Sequence, residues 1–235
     1  MTAKVFAWLV HLYTAMGLVC AAGAAVLIVR GGDASFRRAF MLMLVATAID
    51  ATDGWLARKA RVKEVLPRFS GRALDDLVDF QTYTALPLLL LWRADVLPGG
   101  AAWVLLAPLL ASAYGFSQVD AKTEDGFFLG FPSYWNIVVL YLLLFRVPPA
   151  VNAIVLLGLS ALVFVRIGWI YPSRTPTLQQ TTLVLGGIWT LLIGAIIWMW
   201  PAPPRWIAIA SLAFPVYYVV LSLVLHARRA PVAVR

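Results

Sequence analysis

The stretch Asp50-Ala51-Thr52-Asp53-Gly54-Trp55-Leu56-Ala57-Arg58, followed after a basic connection by Gly71-Arg72-Ala73-Leu74-Asp75-Asp76-Leu77-Val78-Asp79, decides how this chain is read. On a helix, Asp50, Asp53, Gly54 and Ala57 fall at i, i+3, i+4 and i+7 and share one stripe. Gly71, Asp75 and Asp79 repeat the arrangement at steps of four. Two antiparallel neighbouring helices with these faces opposed present four carboxylates to one another, and glycine and alanine leave room for a ligand to approach the backbone. Asp76 is turned about 100° from Asp75 and reads as a loop-facing or supporting acid.

Working outward, the setting of these acids is apolar. The chain has 235 residues, 62% of them hydrophobic and 13% charged, and its mean hydropathy is +0.86. That balance belongs to an integral membrane protein rather than a soluble domain. Apolar runs of spanning length recur throughout, so residues 1–235 read as one all-α polytopic membrane domain with about eight transmembrane helices. They are expected near 7–29, 38–58, 72–93, 101–118, 131–146, 150–167, 182–200 and 205–226. Gly31-Gly32, Pro98-Gly99-Gly100, Pro148-Pro149, Pro172, Pro176, Pro201 and Pro203-Pro204 punctuate the intervals. The first run is followed by further spans and reads as a helix rather than a cleaved leader.

An even number of spans puts both ends on one side, and Lys4, Arg228, Arg229 and Arg235 mark that side as cytoplasmic. Most of the 19 basic residues then fall in cytoplasmic segments, the largest group lying between the second and third helices, beside the aspartates. The net charge of +8 thus reports membrane topology and does not call for nucleic acid as a partner. A single cysteine, Cys20, excludes disulfides and thiolate metal sites within one chain.

Intramembrane carboxylates are expensive and mark function or pairing. Four like charges in proximity require neutralisation, and hard oxygen donors suit Mn²⁺ or Mg²⁺. A pair of such ions could neutralise a diphosphate, activate an attacking oxygen and stabilise a departing phosphate. Interhelical ion pairing with Arg58, Arg61 or Arg72 is the structural alternative, and a cation transporter with intramembrane aspartates is the functional one.

The quoted residues resemble the signature of the CDP-alcohol phosphotransferases, D-x2-D-G-x2-A-R-xn-G-x3-D-x3-D, with every fixed position present. The gap from Lys59 to Ser70 holds twelve residues, longer than in most members, and is similar to one branch, the bacterial phosphatidylcholine synthases. Gln118 to Thr123, Gly130 to Asn136 and Tyr171 to Thr175 resemble the same branch. The resemblance implies a CDP-diacylglycerol donor, attack by an alcohol with release of CMP, choline as the favoured acceptor, a bacterial inner membrane location and a possible homodimer. Another acceptor, such as glycerol phosphate, inositol phosphate or serine, is the near alternative.

By the same resemblance Asp50, Asp53, Asp75 and Asp79 ligate metal, Asp79 also serving as catalytic base. Gly54, Ala57, Arg58 and Gly71 frame the CDP moiety. His11 and Thr14, one turn apart on the first helix, could meet the nucleotide; backbone hydrogen bonding of the histidine is the alternative. A quaternary ammonium donates no N–H bond and is held by aromatic faces. Tyr83, Phe131, Tyr134, Trp135 and Tyr171 are the candidates for the choline site, although most aromatics of such a chain serve as packing or interfacial belts.

Overall fold

The computed structural model describes residues 2–123 and 125–229, so Arg235, one of the topology markers, lies outside the described residues. In chain order the helices are α1 (Thr2–Arg30), α2 (Asp33–Lys59), α3 (Val62–Val65), α4 (Gly71–Asp79), α5 (Leu86–Arg93), α6 (Leu106–Ser117), α7 (Trp135–Leu144), α8 (Pro149–Phe164), α9 (Gln179–Trp198), α10 (Arg205–Ser211) and α11 (Ala213–Arg228). Among the described residues, four segments are long and apolar enough to cross a membrane: Thr2–Arg30, Asp33–Lys59, Gln179–Trp198 and Arg205–Arg228. Ala102–Ser117, Trp135–Leu144 and Pro149–Phe164 are shorter apolar helices. The protein is therefore a mainly helical, membrane-type chain.

It divides into two compact units, Met1–Ala102 with Tyr134–Pro149, and Trp103–Ser133 with Ala150–Arg235. In the first unit α1 packs along α2 and also meets α4 and α5. Its buried positions are Ala7, Val10, His11, Thr14, Gly17, Ala21, Ala24 and Ile28. Apart from His11, which adjoins Val10, they recur at alternating steps of three and four, the period of a packed seam, and most are small, which lets backbones come close where lipid supplies no hydrophobic drive. Gly17 is the tightest point, because a Cβ there would collide with the Val78 side chain of α4. Gly31 and Gly32 turn α1 into α2 with φ of 73° and 82°, a left-handed conformation that glycine adopts freely.

The expected span 72–93 is not one uniform helix. α4 runs into a π-helical segment, Phe80–Ala85, before α5 resumes. The polar run Gln81-Thr82-Tyr83-Thr84 occupies this wide turn, and the Thr82 hydroxyl donates to the Val78 carbonyl at 3.0 Å.

The second unit adds one short ribbon to the mainly helical architecture. Phe127–Leu129 (β1) pairs antiparallel with Gly168–Ile170 (β2). This displaces two expected boundaries: the helix expected from 131 starts at Trp135, and the one expected to reach 167 ends at Phe164. Gly126 and Gly130, both at φ 83°, flank β1 at points where a Cβ would meet the backbone of Arg174 and Val163. The free edge of β2 is satisfied by one face of α11. Tyr218 donates its hydroxyl to the Ile170 carbonyl (3.1 Å), Ser222 accepts from the Ile170 N–H (3.1 Å), and His226 Nδ1 accepts from the Gly168 N–H (3.1 Å). Residues 218, 222 and 226 lie at successive steps of four, so a single helix stripe serves the whole edge.

The end of α11 is tied to the same ribbon. Arg229 donates to both carboxylate oxygens of Asp125 at 2.7 and 2.6 Å and lies 4.2 Å from the Phe127 ring centroid. Burial pushes the Asp125 carboxyl up, but hydrogen bonds from Thr123 and Arg229, with the Arg229 charge, outweigh it and hold the group below its ordinary range. A lowered carboxyl pKa stabilises the fold above the unfolded value, about 3.9, and that contribution fades as pH falls through the folded value. Asp125→Asn is expected to lower the thermal midpoint at pH 7 by the equivalent of at most about 1 kcal/mol, since the carboxylate is half exposed. In detergent the difference should shrink as pH falls, and the variant and the parent should unfold alike once pH is below the carboxyl's folded value.

Candidate active site

α2 carries Asp50 and Asp53, and α4 carries Asp75 and Asp79. Oxygens of Asp50, Asp75 and Asp79 all lie within 4.8 Å of one another, each residue partly exposed. The trio draws on two helices, as the opposed faces require. Asp53, one turn along α2, is buried and stands outside this group; its Oδ2 accepts from the Thr14 hydroxyl of α1 at 2.7 Å. Asp76 turns outward to Arg72, 3.6 Å away, and Arg61 pairs with Glu64 at 3.9 Å. Three hard oxygen donors converging from two rigid elements fit a divalent cation, and the mutual repulsion of their charges disfavours the arrangement without one.

Beside the trio, the residues expected at a nucleotide occupy one region of the first unit. Gly54, Ala57 and Arg58 follow Asp53 on α2, with the Arg58 guanidinium folded back 3.4 Å from where a Gly54 Cβ would sit. Gly71 opens α4, capped by the Ser70 hydroxyl, which accepts from the Ala73 N–H at 3.2 Å. A Cβ on Gly71 would come 2.9 Å from the His11 ring, so glycine permits α4 to start against α1. His11 is buried between Trp8 and Phe69, with ring centroids 5.8 and 4.4 Å away. Its Nε2 is enclosed without a hydrogen-bond partner among the described residues.

The aromatic candidates separate. Tyr83 and Tyr134 lie in the first unit, their ring centroids 6.4 Å apart, and Trp135 is fully buried there. Phe131 and Tyr171 belong to the second unit. Phe131 meets Trp169 edge-on at 6.1 Å, while Tyr171 stacks on Phe128 at 4.5 Å, with Arg174 5.3 Å and Lys122 5.9 Å from its ring. Sequence reasoning missed two links. The Tyr83 hydroxyl donates to Asp50 Oδ2 at 2.8 Å, and Thr14 bonds Asp53. The signal for the first was the polar run in an apolar span; for the second it was Thr14 on the small-residue stripe of α1.

Similarity to known proteins adds the family. No family model matches the chain. Curated relatives do. A phosphatidylcholine synthase of Legionella bozemanae is 43% identical over 148 residues, covering 62% of this chain and 68% of the relative. That of Borreliella burgdorferi is 35% identical over 76% of each chain, and that of Rhizobium meliloti is 31% identical over 95% of this chain and 92% of its own. The chain belongs to the phosphatidylcholine synthase family. These relatives are bacterial enzymes, and the branch named by the twelve-residue gap is the one they occupy.

The buried Thr14–Asp53 bond yields a direct test. Thr14→Val keeps the shape and removes the donor to a charged acceptor, a change worth about 1.5–3 kcal/mol of stability. Thermal unfolding in detergent should show that loss for Thr14→Val and little for Thr14→Ser, which retains the hydroxyl.

Proposed function

We propose that this protein transfers the phosphatidyl group of CDP-diacylglycerol to choline, releasing CMP, in a reaction that depends on Mn²⁺ or Mg²⁺. The convergence of Asp50, Asp75 and Asp79 is the observation that carries this reading, joined to membership of a family whose relatives bear the phosphatidylcholine synthase name. In this reading Asp50, Asp53, Asp75 and Asp79 are the ligand set for two ions, the convergence of Asp50, Asp75 and Asp79 being what supports it. When bound, the ions neutralise the diphosphate and lower the barrier to in-line displacement at phosphorus.

The chain's own groups do the rest. Asp79, one turn from Asp75 along α4, accepts the proton of the choline hydroxyl as that oxygen attacks the lipid-linked phosphorus. Gly54, Ala57 and Gly71 leave backbone exposed to the nucleotide, Arg58 pairs with its phosphates, and His11 and Thr14, one turn apart on α1, bond the CDP moiety; the reading is supported by a His11 Nε2 that has no partner among the described residues. The quaternary ammonium is held by aromatic faces, for which Tyr134 and Trp135 are the candidates within the first unit.

In this reading the chain is one bacterial inner-membrane domain of eight spans, with both termini and the carboxylates toward the cytoplasm, working as a homodimer. The basic connection Lys59 to Arg72 then lies against anionic headgroups, which attract it.

Full-length protein in vesicles containing CDP-diacylglycerol and Mn²⁺ should convert labelled choline into phosphatidylcholine with release of CMP. A chelator should abolish the conversion. Incorporation of another alcohol without choline would refute the acceptor assignment. Asp79→Asn should lower kcat by about 10²–10⁴-fold, the usual contribution of a general base.

A further inference from the structure

The geometry points to Tyr83 as a positioning residue that holds the Asp50 carboxylate in its metal-binding orientation through its hydroxyl, rather than serving the acceptor through its ring. This deepens the proposed function and rests on its metal reading. Tyr83 is half-buried, and the hydrogen-bond partner of its hydroxyl is a carboxylate, Asp50 Oδ2, at 2.8 Å. That bond is charge-assisted and joins α2 to the segment after α4. A carboxylate with one oxygen tied in this way has its χ2 rotation fixed, and an oxygen of this one lies within 4.8 Å of oxygens of Asp75 and Asp79.

The backbone supplies a second, independent observation. The π-helical segment Phe80–Ala85 begins immediately after Asp79, its closing bond running from the Leu86 N–H to the Gln81 carbonyl. Wide turns of this kind are rare and concentrate at functional sites. One extra residue in the turn rotates the downstream residues by about 100° relative to a straight α-helix. Tyr83 lies within that turn and reaches Asp50, while Asp79 stays in the regular helix with Asp75 at a step of four. The insertion thus separates two demands on one span: α4 aims the ligands, and the wide turn aims the group that orients the opposing ligand.

The test compares Tyr83→Phe, which loses only the hydroxyl, with Tyr83→Leu, which loses the ring as well. Mn²⁺ binding to the full-length protein in detergent is titrated by the electron paramagnetic resonance signal of free Mn²⁺, without substrates. Both variants should bind Mn²⁺ about 10–100-fold more weakly, the usual consequence of removing a group that orients a ligand. Choline KM for Tyr83→Phe, measured at saturating Mn²⁺, should match that of the parent, and excess Mn²⁺ should restore most of its turnover, which would not result from a merely structural defect. Parent-like Mn²⁺ affinity in Tyr83→Phe would overturn the inference alone. A raised choline KM confined to Tyr83→Leu, with Mn²⁺ binding intact, would overturn it in favour of the ring. Absence of Mn²⁺ binding by the unaltered protein would overturn the metal reading and this inference together.

Discussion

Three carboxylates that converge to within 4.8 Å at the end of an apolar helix pair impose the constraint on which the rest of the first unit depends. Each is costly to remove from water, and each repels the others. A cation resolves the repulsion, but only if the oxygens are held where it can reach all of them. Close helix packing provides that hold. Gly17 brings α1 onto Val78, between Asp75 and Asp79, and Gly71 lets α4 begin against His11. From α1 the Thr14 hydroxyl crosses to Asp53, and from the wide turn Tyr83 crosses to Asp50. Small residues and hydroxyl donors are therefore two parts of one solution: the first set the distance between helices, and the second fix the angles of the acids between them.

The second unit answers a different demand of the same apolar setting, that backbone polar groups be satisfied internally. A two-stranded ribbon exposes an edge, and in hydrocarbon that edge would cost several kcal/mol for each group left unpaired. Tyr218, Ser222 and His226 remove the problem by turning one polar stripe of α11 toward β2. His226, which as an isolated residue reads as interfacial, accepts a backbone hydrogen bond here.

How much of this was legible in the sequence depends on the range of each interaction. The carboxylate faces were readable because helical spacing alone places Asp50 and Asp53, or Asp75 and Asp79, on common stripes. The breaks at Gly31-Gly32 and Pro148-Pro149 were readable because glycine and proline act locally. The ribbon was not, since Phe127-Phe128-Leu129 and Gly168-Trp169-Ile170 are apolar triplets that periodicity assigns to helix ends as readily as to strands. Their pairing depends on a partner some 40 residues away and on a helix stripe further still. The π-helical turn was hidden for a related reason: a one-residue change of register leaves hydropathy untouched and is betrayed only by polar residues whose partners lie on another helix.

Assigning the Tyr83 hydroxyl to Asp50 also bears on where a choline site belongs. In the proposed reaction two kinds of positive charge must coexist, that of the ions on the aspartates and that of the quaternary ammonium. They repel, and the repulsion is strongest where water is excluded. The acceptor hydroxyl must nevertheless reach Asp79. An aromatic face is therefore best placed at the far end of the choline molecule, one molecule's length from the carboxylates, and least useful directly against a metal ligand. Tyr83, bonded to Asp50, stands in the latter position, and its neighbour Tyr134 has its ring centroid 6.4 Å away. Division of labour between hydroxyl and ring follows from charge separation alone, and it makes the two neighbouring tyrosines chemically unequal despite their shared residue type.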